Sequence, residues 1–334
     1  MTGTTAPAPA QAQAQAKPRS RLPQINPVYF ILAALIVAII FNNPNFVEPT
    51  GYMNFLKRAA PLAILAAGQV YVIVSGGFDL SVGSVITLVV VGSSMLSNND
   101  PSSTWWVICV MLAIGLAVGL VNGLVVCFLK VPSLIATLGM MITLNGFAFM
   151  WSGGAPRGYL PETFRYFGRA NIMDVPLVRF IPVAVIVMVV IGLALWWLMH
   201  RTNLGRMIHA IGDNPRAAHL AGVPINRVRI TAFVVSSLSA VIAGILLGGF
   251  AGVSTDVGTS YELQAITAAV LGGAQLLGGR GSVPAVMAGA LTLTAIFTLL
   301  NFLGLPQPVR QVVQGLILIA AVALAMYRRK RTGQ

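Results

Sequence analysis

The sequence predicts an all-α polytopic membrane protein with about ten transmembrane helices, some of them broken at glycine-rich motifs. Three observations carry that reading. Hydrophobic residues make up 57% of the 334 and charged residues 9%, with a mean hydropathy of +0.84, more apolar surface than a water-soluble core of this length can hide. The apolar residues gather in ten runs, near 28–41, 56–75, 80–97, 105–128, 133–152, 178–199, 230–251, 261–277, 283–302 and 310–327, most of them close to the roughly 20 residues a helix needs to cross hydrocarbon. The basic residues flank these runs instead of clustering, so the net charge of +13 is a topology signal and not a nucleic-acid footprint.

Residues 1–26 are rich in Ala, Gln and Pro, with Gln and Ala alternating over 11–16. Such a segment cannot bury a core and is expected to be a disordered cytoplasmic tail. The membrane domain follows over 27–328, with a second short tail at 329–334. After the first run comes Asn42-Asn43-Pro44-Asn45 and not a small-residue cleavage site, which makes the run an uncleaved span. With the amino terminus inside, the cytoplasmic segments hold fourteen of the 21 basic residues. Six of the eight acids, including Glu262 at a span edge, fall on the other face. Both termini and the long 200–229 loop are then cytoplasmic. The longest external connection, 152–176, mixes glycine, proline, aromatic and charged residues, as a plain loop, a short surface helix or a docking lip would.

Between the second and third runs stands Ser75-Gly76-Gly77-Phe78-Asp79-Leu80-Ser81-Val82-Gly83-Ser84, with almost no polar loop. Gly76 and Gly77 release the chain from helical geometry, and Asp79 and Ser81 can accept from the free amides of the next helix. Irregular backbone at membrane depth is tolerated only inside protein or along a cavity. The break therefore either lines a solute route or its gate, or is a capping turn near the surface. A second break, Leu271-Gly272-Gly273-Ala274-Gln275 with Gly278-Gly279-Arg280-Gly281-Ser282, echoes the first. Its glycines suit close helix packing or unwinding, and the runs flanking residue 77, like those flanking residue 279, are alternatively single long broken helices. Gln69, Asn122, Asn145, Gln264, Thr267 and Gln275 are neutral hydrogen-bonding groups inside apolar runs, able to bridge helices or to contact an uncharged polar solute.

The 200–229 loop carries five arginines together with Gly205, Gly212, Asp213, Asn214, Pro215, Arg216, Ala217, Ala218 and Gly222. Asp213 or Asn214 can cap a short helix with Pro215 at its first position, running to Leu220 and stopping near Gly222. The small Ala217, Ala218 and Ala221 let a partner approach while Arg216 and His219 reach outward; a solvated connector is the alternative. His209 and His219 lie ten apart without carboxylates, and Cys109 and Cys127 share one run, so neither a metal site nor a disulfide framework is expected. No catalytic constellation is assembled, and no Gly-x-x-x-x-Gly-Lys-Ser/Thr is present to cradle a nucleotide.

The segment from Gly76 to Ser84 resembles the GGIDLSVGS signature of the permease subunits of ribose-type bacterial ABC importers, with Phe78 in place of the usual Ile or Val. Asn122-Gly123, the run from Val131 to Gly139, the Gly205 to Gly222 loop and the second break match the same family in the same order. The resemblance covers roughly 45–327. It implies a bacterial inner-membrane subunit of about ten helices that binds no cofactor itself. Its partners would be a second permease copy or paralogue, cytoplasmic ABC ATPase subunits that use ATP and Mg, and a periplasmic sugar-binding protein delivering a ribose-, xylose- or galactose-like monosaccharide. By position, residues from Asp213 to Gly222 resemble the family's ATPase-coupling element, and Gly76, Gly77, Asp79 and Ser81 its broken segment. Nucleosides, branched-chain amino acids or a furanosyl signal are alternative cargoes for the same machinery. An ion-coupled carrier would need embedded carboxylates, and only Asp79, in the break between two runs, is placed for that, with Glu262 at a span edge.

Overall fold

The computed structural model describes residues 26–155, 157–176 and 178–331, so the expected tail over 1–25 and residues 332–334 lie outside the described residues. A helix occupies each of the ten expected segments: α1 (Pro27–Asn42), α2 (Pro49–Val74), α3 (Val82–Ser97), α4 (Thr104–Phe128), α5 (Ser133–Ser152), α7 (Val183–Arg201), α10 (Ile225–Ala251), α11 (Tyr261–Leu271), α12 (Val283–Phe302) and α13 (Gln307–Arg331). Among the described residues, six of the helical segments are long and apolar enough to cross a membrane, and α1 and α3 are shorter apolar helices. Three more helices, α6 (Glu162–Arg169), α8 (Asn203–Asp213) and α9 (Pro215–Leu220), lie outside the ten runs.

Local chemistry sets many of the boundaries. Asn26 caps α1, its side chain accepting from Val28 N at 3.1 Å ahead of Pro27 at the first position. The same side chain donates to Gly272 O at 2.7 Å, so residue 26 is part of the packed structure and not of a tail. At the other terminus α13 continues through Arg331, so 329–331 are helical. In the 152–176 connection the surface helix is present as α6, and an antiparallel hairpin of β1 (Asn171–Val175) and β2 (Arg179–Pro182) replaces the expected start of the sixth run at 178.

The core is built on α2 and α10, which pack on each other. In α2, 89% of the most apolar window is buried, against 17% in α5, so α2 is a central helix and α5 a peripheral one. The α4–α10 crossing is the most extensive in the fold. Its basis is Gly115, Gly119 and Gly123, spaced by four on one face of α4, where an added Cβ would strike Val241, the Val234 backbone and Ile230 of α10. Without a hydrophobic drive between helices in lipid, such close backbone approach is what holds a pair together.

The largest departure from the sequence reading is α11. The 261–277 run is not one crossing: the helix stops at Leu271 after 11 residues, about 16 Å at 1.5 Å per residue and about half the hydrocarbon thickness.

Candidate functional site

Both breaks and the 200–229 loop meet at one end of the bundle. α2 ends at Val74, Gly76 takes φ +85°, and residues 77–80 turn back into the protein without regular secondary structure before α3 begins. Neither break is a long helix interrupted by a kink. Gln69 Nε2 donates to Asp79 O at 3.0 Å, which sets Asp79 level with a residue five positions before the end of α2, about 7.5 Å inside. The other edge of this irregular segment is held by α5, through Phe78 N to Ser133 Oγ at 3.1 Å and Leu80 N to Thr137 Oγ1 at 3.0 Å.

Asp79 is fully buried. Its Oδ1 accepts from Ser81 N at 3.0 Å and Ser81 Oγ at 2.6 Å, and its Oδ2 accepts from Ser236 Oγ at 2.9 Å. Asn122 Nδ2 donates to Ser81 Oγ at 2.9 Å, and Ser236 Oγ also lies 3.1 Å from Gln69 Oε1. Asp79 therefore accepts from the amide of Ser81, the residue just ahead of α3, and not from an amide inside that helix. Ser81 makes no side-chain cap bond to α3 either; its oxygen accepts from Asn122 Nδ2 instead. Four helices or helix junctions converge on this carboxylate, a satisfied polar network of the kind that fixes one packing arrangement. Ser236, Ser133 and Thr137 are members that the choice of single polar residues missed. Ser133 and Thr137 were legible in the run from Val131 to Gly139; Ser236 gave no signal in its apolar surroundings.

Below the network a cavity of about 420 Å³ opens beside Gly76 and Gly77, lined also by Cys127, Lys130, Ser133 and Arg229. Next to it the three glycine motifs touch. Gly279 N donates to Val74 O at 2.9 Å. A Cβ on Gly212 would fall on that same oxygen and nitrogen, and one on Gly278 would lie 3.0 Å from Gly212 Cα and 3.1 Å from Gly76 N. Gly76, Gly278 and Gly279 all have positive φ. The junction is therefore backbone against backbone, which only glycine permits.

The 200–229 segment is largely helical and partly docked. In α8, Ile208 and Ile211 are fully buried, and Gly205 lies against the Met199 carbonyl. Asp213 is the last residue of α8. The cap of α9 is Asn214, whose Oδ1 accepts from Arg216 N at 3.0 Å and Ala217 N at 3.1 Å, with Pro215 at the first position. Gly222 closes the turn with φ +80°. Ala218 faces inward at 4% exposure, whereas Arg216 and Ala217 are exposed and Leu220 is 82% exposed.

The remaining expected path residues separate from the network. Asn145 is exposed on α5 and Gln264 half-buried on α11. Gln275 lies in the second break, where its N–H bonds to Arg280 O at 2.8 Å. In the same break Gly272 packs on Ala285 and Val286 of α12, which makes it a helix-packing glycine.

Comparison with known proteins bears on this arrangement. The family model described as branched-chain amino acid transport system / permease component matches residues 51–322. The chain is 33% identical over 296 residues to the ribose import permease protein RbsC of Escherichia coli, covering 87% of this chain and 90% of that one. It is 35% identical over 300 residues to the RbsC of Bacillus subtilis, with 88% and 90% covered. It is 37% identical over 311 residues to the L-arabinose transport system permease protein AraH of Escherichia coli, with 90% of each covered. No solved structure matches the chain.

Proposed function

The chain belongs to the branched-chain amino acid transport system permease family, and from that premise we propose that it is the membrane permease of a sugar-importing ABC transporter, with its stroke delivered through α9. It is a multi-pass membrane subunit that conducts a monosaccharide, and a separate ATPase supplies the energy. The observation that carries the coupling assignment is the junction of Val74, Gly212 and Gly279. A displacement of α8 and α9 acts directly on the backbone of both breaks, with no intervening side chain to absorb it. Closure of the ATPase pair on ATP moves the α9 segment, and the breaks respond as hinges where φ is free to change.

In this reading the ATPase cleft receives the exposed side of α9, namely Arg216, Ala217 and Leu220, while Asp213, Asn214, Pro215 and Gly222 fix the element's shape. Gly76, Gly77, Asp79, Ser81 and Asn122 form the hinge and its lock, and Asn145, Gln264 and Gln275 are path-side groups. A second permease copy completes the conduit, a periplasmic binding protein loads it, and the chain's own termini lie in the cytoplasm of a bacterial inner membrane. Sugar hydroxyls require acceptors and donors but no opposite charge, and a mostly apolar bundle with scattered carboxamides meets that need.

Three substitutions on one short helix separate docking from folding. Ala217→Glu or Leu220→Glu is expected to abolish co-purification of the ATPase while leaving the thermal stability of the isolated permease unchanged. Ala218→Glu is expected to lower that stability as well, because it forces a charge into a buried position. ATPase retained by both exposed-side variants would refute the assignment. The orientation is checked by Arg216→Cys in intact cells: an impermeant maleimide should label it only after the inner membrane is opened to the cytoplasmic side.

A further inference from the structure

The corner where α4 passes into α5 gathers two cations around one cavity and gives them no acid to pair with. α4 stops at Phe128 and α5 starts at Ser133, and Lys130 turns the link between them with φ +55°. Lys130 and Arg229, the latter near the start of α10, both line the cavity of about 420 Å³ beside Gly76 and Gly77. That volume lies within the roughly 300–1,000 Å³ usual for ligand pockets. No acidic side chain is among the lining residues. Arg229 Nη2 lies 3.5 Å from Ser75 O, and neither cation has an acidic partner among the described residues. Ser133, also in the lining, accepts at Oγ from Phe78 N at 3.1 Å, which leaves its hydroxyl hydrogen to donate. Two like charges facing one cavity repel each other, and an anion placed between them removes that repulsion.

The outer side of the same corner is apolar. Phe128 and Leu129 at the end of α4, and Leu134 and Ile135 at the start of α5, are 50–71% exposed. Cations set among exposed apolar side chains at the end of a bundle match an amphiphile with a negative head, since the tails need the apolar rim and the head needs the charge. A free anion or an acidic protein segment would use the cations and leave the rim bare.

We propose that this cavity binds the phosphate of an anionic phospholipid. Lys130 and Arg229 neutralise it, Ser133 donates a hydrogen bond to it, and the acyl chains lie along the exposed ends of α4 and α5. The site requires only that the chain span a bilayer, and it is independent of the cargo.

The test is lipid retention by the full-length permease released from nanodiscs of equal phosphatidylglycerol and phosphatidylcholine, read by native mass spectrometry. The wild type is expected to keep phosphatidylglycerol about thirtyfold over phosphatidylcholine, the worth of two cations beside an anionic headgroup. The Lys130→Ala, Arg229→Ala double variant should keep the two lipids about equally. Arg206→Ala, Arg227→Ala removes two exposed cations elsewhere and should leave the preference unchanged. Lys130 is exposed, so Lys130→Glu alone carries the test if the double variant does not fold. Excess inorganic phosphate is expected to leave the lipid in place; displacement by it would make the cavity a site for free phosphate and overturn the lipid assignment. Equal retention of both lipids by the wild type, or an equal loss of preference in the Arg206, Arg227 control, overturns the proposal as well. So does ready disulfide cross-linking of Leu134→Cys between two copies, which gives the corner to a second permease.

Discussion

Gly212→Ala is expected to eliminate ATP-driven uptake and to reduce the amount of assembled transporter, although it adds only one methyl group. The methyl has no side chain to displace. It would land on the Val74 carbonyl oxygen and the Gly279 nitrogen, atoms already bonded to each other at 2.9 Å. Overpacking against side chains costs about 1–3 kcal/mol because rotamers can shift. Here the ends of α2 and α8 and the second break must separate, so the penalty falls at or above the top of that range. Gly222→Ala is the matched control. Gly222 has φ +80°, but nothing lies within 4 Å of its added Cβ, so the substitution carries only the backbone strain of about 1 kcal/mol. Uptake and thermal unfolding in detergent should therefore rank wild type, then Gly222→Ala, then Gly212→Ala far below. A Gly212→Ala protein that assembles and imports like wild type would remove the junction from the mechanism.

What was legible in the sequence divides by the range of the interaction. The α9 element could be read residue by residue, because a cap, a proline at the first position and a closing glycine act within eight residues: Asn214, Pro215 and Gly222 each do what their chemistry dictates. The first break was visible because Asp79 and two glycines interrupt an apolar stretch. Its partners were not. Ser236 lies 157 residues away from Asp79, and nothing in an apolar run marks which serine turns inward to meet a carboxylate. Burial of Ile208 and Ile211 escaped notice for the related reason that the arginines around them read as solvated loop. α11 was misjudged because hydropathy over 261–277 is the same whether a helix crosses the bilayer or starts halfway. The distinction lies in Gly83 and Gly258, small residues whose meaning appears only when the segment before α11 is seen against α3. The four-residue spacing of Gly115, Gly119 and Gly123 is a helix-packing signal that went unread in the sequence, and the contacts of α4 with α10 give it its meaning.

Asp79→Ala is expected to act on stability first and on transport second. The side chain is fully buried and receives three donors, from Ser81 N, Ser81 Oγ and Ser236 Oγ, so it touches no solute. Taken at the value for donors stranded in a protein interior, each lost partner costs about 1–3 kcal/mol. Hydrogen bonds between membrane helices average nearer 0.6 kcal/mol, because the inserted but unpacked chain finds other partners. Ser236 can fall back on Gln69 Oε1 at 3.1 Å, whereas the Ser81 amide has no second acceptor among the described residues, so the sum lies between these limits at roughly 2–4 kcal/mol. That is a large fraction of the 5–15 kcal/mol typical of a folded domain, and purified Asp79→Ala should melt well below wild type. Asp79→Asn keeps Oδ1 as an acceptor for Ser81 and should recover much of the loss. The Asp79→Ala, Ser236→Ala pair should be less than additive, since the two share one bond. An Asp79→Ala protein that melts with wild type yet fails to import would reverse the assignment, placing the carboxylate on the sugar's route and not in the lock that holds the irregular 77–80 segment against α5 and α10.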